Sequence, residues 1–290
     1  MLMEIPLGHR GDRNHVREAL RLGAFLVRST LPQPLLDEAQ AFLDCFFDLP
    51  PSDKADCRVP GAAGRSGYTR PALPTAGESP PGARSEMFHW STSLPSGHPL
   101  REGFPDRYPV LHFPDHLVPG IGSALRELHG RMLRVQREAL GAVAHALGAP
   151  PGHFDGMLRV GPVVSEAVRT IRGGVVPLAS PPGPGASRRR EVEVAALRPR
   201  PVGIEFLSDR RWTTVDAPEG YALFSVGVEL ERLTGGIARS TSHRAIEEPA
   251  DRGARPSLAQ FCHPPPWAEP PASHAVPQGS RWADWPGFRS

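Results

Sequence analysis

The sequence predicts a mainly β fold with helices packed against it, and three observations carry that prediction. Between residues 192 and 261, short β-rich runs recur between turns made of Gly, Pro and Asp: 192–197, 203–206, 221–226 and 257–261. Runs of that length and spacing predict an antiparallel β core. Second, Leu125, Leu128, Met132, Val135, Ala139, Val143 and Ala146 recur at intervals of three and four, which gives a helix with one apolar stripe. Gly148 stops it and Pro150 and Pro151 prevent continuation, so this helix is expected to buttress the sheet. Third, the N-terminal part reads as helices with little strand between them.

In chain order, Ile5-Pro6-Leu7 is a short extended opener, and residues 16–22 read as a helix stopped by Gly23. Residues 24–27 are a compact apolar run, expected as a buried strand. Leu35, Ala39, Phe42, Leu43, Phe46 and Phe47 lie at helical spacing and predict a second helix that ends at Leu49-Pro50. Residues 57–84, rich in Gly, Pro, Ala and Arg, are expected as a long surface loop. Residues 86–90 read as a strand. Phe154, Met157 and Leu158 suggest a short helix after the long one, and residues 166–171 a strand. Residues 177–187 are rich in Pro, Gly and Ser and read as loop. Beyond Phe261 lies a Pro- and Trp-rich tail, with Trp267, Trp282 and Trp285 as candidate anchors.

Composition narrows the function classes. The chain has 290 residues, enough for one large domain, and a formal net charge of +2. Lys54 is the sole lysine, and the arginines are scattered among 31 acids. Only Arg188, Arg189 and Arg190 cluster, too few for the basic patch of a nucleic-acid binder, so no nucleic-acid partner is expected. No run approaches the ~20 apolar residues of a membrane span, so no membrane partner is expected. Cys45, Cys57 and Cys262 form no Cys-x-x-Cys pair and suggest neither a disulfide framework nor a zinc knuckle. The reading is of a cytoplasmic protein. Its oligomeric state is not legible.

The order of motifs resembles the isopenicillin N synthase-like branch of the iron(II)/2-oxoglutarate oxygenases. The carrying residues are Phe46-Phe47 with Leu49-Pro50 and Lys54, Gly67-Tyr68, Glu86-x-Phe88, Gly203-Ile204, His243-Arg244, and Arg255-x-Ser257. The resemblance implies a double-stranded β-helix, a jelly roll, with N-terminal helices and the long helix as buttress. It implies one domain over 1–290: a helical and mixed part at 1–160, the β-helix core at 161–266, and a tail at 267–290.

In that family a His-x-Asp…His triad holds iron, and Arg-x-Ser grips the 2-oxoglutarate carboxylate. His243 matches the distal histidine, and Arg255 and Ser257 match Arg-x-Ser. Counting back from Gly203-Ile204 puts the His-x-Asp position on Arg188 to Arg190. A tyrosine expected near Gly173 is absent. His89 falls where the family often carries a histidine that is not a ligand.

Iron(II) needs lone pairs, which His and carboxylates offer and arginine does not. A charge pair at about 4 Å and an effective dielectric near 20 is worth roughly 4 kcal/mol, so two guanidiniums there would repel a divalent ion. The expectation is therefore a degenerate metal site with no metal and no cofactor. Arg188, Arg190, Arg255 and Ser257 would bind a small anionic substrate. His243 would act as general base, kept neutral by the cations. The expected chemistry is iron-independent dehydration, isomerisation or cyclisation in secondary-metabolite biosynthesis. Two alternatives stand. A register shift would put Glu191 and Glu193, two apart on one strand face, in the ligand positions of an iron(II)/2-oxoglutarate dioxygenase with an atypical triad. Or the chain is a non-catalytic pseudo-oxygenase that binds a ligand or partner.

Overall fold

The computed structural model describes residues 2–7, 11–62, 65–69, 85–150, 152–170, 176–177, 194–199, 204–208, 211–215, 217–245 and 256–268. In chain order its elements are β1 (Glu4–Ile5), α1 (Arg13–Leu22), β2 (Ala24–Arg28), α2 (Gln33–Phe47), α3 (Pro51–Asp56), β3 (Gly67–Thr69), β4 (Ser85–Ser91), α4 (Pro99–Gly103), α5 (Ile121–Leu147) and α6 (Asp155–Val160). There follow β5 (Val163–Thr170), β6 (Val176–Pro177), β7 (Ala195–Pro199), β8 (Ile204–Ser208), β9 (Arg211–Thr214), β10 (Tyr221–Val226), α7 (Val228–Leu233), β11 (His243–Ala245) and β12 (Ser257–Cys262). A single 3-10 turn, Pro266–Ala268, ends the described chain.

Local chemistry sets the joints. The Asp12 side chain accepts a hydrogen bond from the Asn14 N–H and starts α1. Gly23 ends that helix with φ 82°, its N–H returning to the Leu20 carbonyl. A Cβ at Gly23 would sit 2.6 Å from the Arg239 carbonyl oxygen, so both the left-handed turn and the close approach require glycine there. The tight turn delivers the chain into β2, whose residues Ala24–Val27 are all buried. The stripe read from the sequence does bury: Leu125, Leu128, Met132, Val135, Ala139 and Val143 are each at most 1 % exposed.

The strands form two sheets. The larger runs β1-β2-β10-β7-β12-β5-β4-β3 and the smaller β6-β11-β8-β9. All pairings are antiparallel except β1 with β2, which is parallel. Side chains alternate across the larger sheet. One set meets α5: Ser165 and Gln260 bond His129, and Trp90 donates to the Leu125 carbonyl. The other set faces the smaller sheet. There Ala24, Leu26, Leu223, Ile204, Phe206 and Val215 form a second, compact core.

The structure adds to the expectations and corrects some of them. Strands β1 to β4 come from residues 1–160 and extend the larger sheet on both sides. Within the stretch expected as surface loop, Cys57, Ala62, Arg65, Ser66, Gly67 and Tyr68 are buried, and β3 (Gly67–Thr69) pairs with β4. Residues 70–84 lie outside the described chain. Pro177, expected as loop, pairs with Arg244. In the tail, Trp267 packs beside Phe104, ring centroids 6.2 Å apart; Trp282 and Trp285 fall outside the described residues.

Candidate functional site

The site is built on the inner face of the larger sheet, where alternation leaves a polar row among apolar neighbours. Gln260 pairs with Leu197 and with Ser165, and these belong to the helix-facing set. One step along, Ala259 pairs with Glu166 on β5, which pairs with His89 on β4; the β12–β7 pairing ends at Gln260 with Leu197, and Arg198 is the next residue of β7. Arg198, Ala259, Glu166 and His89 therefore form one cross-strand row on the inner face.

At one end of the row, Arg198 is 2 % exposed. Its Nη1 donates to Ser225 Oγ at 3.0 Å and its Nη2 to His243 Nε2 at 3.0 Å, while its guanidinium lies over the Phe261 ring. His243 stacks on Phe206, centroids 5.2 Å apart. Because a guanidinium only donates, Nε2 must accept and the ring proton must sit on Nδ1; the ring also bonds the Thr241 backbone. Burial foremost, and the Arg198 charge second, push the His243 pKa down to about 3, against the opposing Thr241 bond. His243 is thus neutral around pH 7.

At the other end, His89 Nε2 lies 2.9 Å from Glu166 Oε2, with the two side chains 7 % and 17 % exposed. His89 Nδ1 is buried and has no hydrogen-bond partner among the described residues. Between the two ends lies Ala259, which is buried.

Of the residues singled out in the sequence, Arg188, Arg190, Glu191, Glu193 and Arg255 lie outside the described chain. Ser257 is exposed on the inner face two residues before Ala259, its Oγ 3.5 Å from the Val168 carbonyl. His243 is in the pocket wall. The Nε2 lone pair a base would use already accepts from Arg198, and a conjugate acid with a pKa near 3 gives little driving force for proton removal. A base role for His243 therefore requires that the Arg198 bond be released first. Sequence reasoning missed Arg198, Ser225 and Glu166. The signal for Arg198 was present: one arginine at the end of the otherwise apolar run Val194-Ala195-Ala196-Leu197.

The arrangement also bears on iron. A facial triad requires the lone pair of each histidine, and here a guanidinium N–H occupies that of His243. Among the described residues no group of three His, Cys, Asp or Glu is placed to hold a metal. The described residues do not fit iron(II); the segment 178–193, with the other aligned positions, is outside them.

No family model matches the chain. A search of curated proteins finds mugineic-acid 3-dioxygenase of Hordeum vulgare, 26 % identical over 248 residues, covering 82 % of this chain and 65 % of the barley protein. The match thus spans less than two thirds of that relative's length. Among solved structures, a Caulobacter crescentus protein assigned to the 2OG-Fe(II) oxygenase family superposes with a TM-score of 0.73 at 22 % identity, covering 91 % of this chain and 87 % of the other. A full-length Neurospora crassa protein solved in complex with alpha-KG superposes with a TM-score of 0.65 at 20 % identity, over 91 % and 85 % of the two chains. The class is thereby defined: this is a mainly β protein with the jelly-roll fold of the iron(II)/2-oxoglutarate oxygenases. Its similarity in sequence runs to dioxygenases of that superfamily.

Proposed function

We propose that this chain is an enzyme of the oxygenase fold that takes a small anionic molecule into its barrel and acts on it without iron held at His243, in small-molecule biosynthesis in the cytoplasm. The observation that carries the reading is the 3.0 Å hydrogen bond from Arg198 to His243 Nε2. The positive charge facing this histidine is a guanidinium, and a guanidinium recognises carboxylate or phosphate through two parallel N–H bonds. Arg255, Ser257, Arg188 and Arg190 stay in the reading as further anion contacts. Arg198 is anchored by Ser225 and backed by Phe261, so its head is pre-positioned.

The anion and the base are coupled in this reading. A carboxylate that draws the Arg198 N–H groups onto itself uncovers the His243 lone pair and offsets the charge that depresses its pKa. Only then can His243 accept a proton, as dehydration, isomerisation or cyclisation would require.

A second reading is favoured by the similarity to the barley dioxygenase and to a protein solved with alpha-KG: an iron(II)/2-oxoglutarate dioxygenase whose remaining ligands, Glu191 and Glu193 among them, come from 178–193. When bound, iron and 2-oxoglutarate would supply oxygen activation. The deciding experiment is metal analysis of protein purified without oxygen, joined to an assay for succinate from 2-oxoglutarate. The first reading expects no stoichiometric iron and no succinate. About one iron per chain, with succinate produced, replaces it with the second.

A further inference from the structure

A cavity of about 410 Å³ lies at the β3 edge of the larger sheet and shares no lining residue with the polar row. That volume is in the range of roughly 300–1,000 Å³ usual for small-molecule sites. One wall is the chain at 56–60, which leaves α3 and bridges β3 at Gly67. The other is the approach to α5 between His112 and His116. Both walls are held in place by the fold. The Tyr68 N–H donates to the Cys57 carbonyl at 2.9 Å, and the Val118 N–H to the Pro114 carbonyl at 2.8 Å. Arg126 lies over the Phe113 ring, 4.3 Å from its centroid. Ser66 Oγ, next to β3, donates to the Val110 carbonyl at 3.2 Å and ties the two segments together.

The polar groups of this cavity are not committed elsewhere. Asp56, Arg58, His112 and His116 line it and are exposed. None of these four side chains has a hydrogen bond or ion pair among the described residues. Arg58 only rests against the Tyr68 ring, 6.0 Å from its centroid, which leaves its guanidinium N–H groups unspent. Val59, Phe113 and Pro114 supply apolar surface in the same cavity. Apolar walls with a few unspent polar groups are what a small-molecule site requires.

We infer that this cavity is a second ligand site, which takes a small molecule with an apolar body and a single carboxylate. The body packs on Val59, Phe113 and Pro114. The carboxylate accepts from Arg58, with the imidazoles of His112 and His116 as further donors. Asp56 sets the charge of the ligand. It stands two residues from Arg58 in the same wall and repels any additional negative charge. A carboxylate is therefore favoured over a phosphate monoester, which carries about −1.5 to −2 at pH 7. The site is separate from the one proposed in the barrel and stands or falls independently of it.

Magnetic resonance of the full chain with carbon-13-labelled histidines tests this, the signals of His112 and His116 being assigned from His112→Gln and His116→Gln. Benzoate is the probe, benzamide its neutral counterpart and phenyl phosphate its more highly charged one. Benzoate should shift both signals, and benzamide and phenyl phosphate should each bind at least about tenfold more weakly. In Arg58→Gln, a change of an exposed side chain, benzoate should bind about tenfold to a hundredfold more weakly than in the native chain. Arg198→Gln, checked by thermal unfolding to be folded, should leave both shifts as they are in the native chain. The inference is overturned if benzoate shifts neither signal, if benzamide or phenyl phosphate binds as tightly as benzoate, or if Arg58→Gln binds as tightly as the native chain. Loss of both shifts in folded Arg198→Gln would put the benzoate in the barrel and overturn it as well.

Discussion

The residue that decides most here is His243, and its contacts make a prediction about acid stability. Its pKa in the fold is about 3, and that of His129, enclosed between α5 and the sheet, is pushed down by burial to about 4. In the unfolded chain each would titrate near the ordinary histidine value of ~6.5. Between those values the unfolded state binds more protons than the fold. Stability is therefore full above about pH 6.5 and falls as pH drops toward 4 and then 3, by up to about 1.4 kcal/mol per pH unit for each histidine. Urea unfolding at pH 7, 5.5 and 4.5 checks this. His129→Gln should flatten the slope by about one proton, and an unchanged slope would mean that His129 is not neutral in the fold. His243 was legible in the sequence because a histidine followed by arginine, twelve residues before Arg-x-Ser, is a spaced motif. Its partner Arg198 was not, because an arginine ending a strand carries no spacing of its own. Only the fold brings it within 3.0 Å of Nε2.

At the scale of elements, the joint between α2, α3, β3, β4 and β5 is closed by one buried carboxylate. Glu86, with a side chain 2 % exposed, accepts from Lys54 Nζ at 2.8 Å, Tyr68 Oη at 2.9 Å and Arg169 Nε at 3.0 Å. Desolvation works to raise its pKa, but the bonds from Lys54, Arg169 and Tyr68 outweigh it and hold the carboxyl below its ordinary value. Lys54 also donates to the Phe47 carbonyl at 2.6 Å, capping the end of α2, and Arg169 reaches Asp48 and the same carbonyl. Removing Glu86 leaves the buried Lys54 ammonium with no carboxylate partner among the described residues. Glu86→Leu should thus cost about 3–5 kcal/mol, with the double change Lys54→Met, Glu86→Leu costing less than Glu86→Leu alone. Denaturant midpoints of the three proteins measure it; a loss under about 1 kcal/mol for the single change, the range of an exposed pair, would mean the cluster is solvated. The long helices and their stops could be read in advance, since periodicity, Gly23 and Gly148 are local signals. The short α3, α4 and α7 and the exposed strand β9 were not. Each is too brief to show a period, and β9 has no buried face to pattern.

For the whole molecule, the fold was readable and the polar row was not, for one physical reason. The β core follows from runs and turns along the chain, and the jelly roll is what the resemblance carried by the spaced motifs implies. The row is assembled across it, from His89, Glu166, Arg198 and Ala259 on four strands, and its existence depends on pairing registers that no single stretch encodes. The same cross-strand assembly gives the anion site a global readout. A ligand that binds only the folded barrel stabilises the entire two-sheet structure by mass action, by about 2.7 kcal/mol at a hundredfold excess over its dissociation constant. A panel of carboxylates and phosphates should therefore raise the unfolding temperature of the native chain. In Arg198→Gln the shift should fall to near zero at the same ligand concentrations. His89→Gln, which leaves the guanidinium in place, should retain the shift with simple carboxylates. If no anion moves the unfolding temperature, or Arg198→Gln shifts as far as the native chain, then the guanidinium at His243 is a structural replacement for a lost ligand set and not the floor of a binding site.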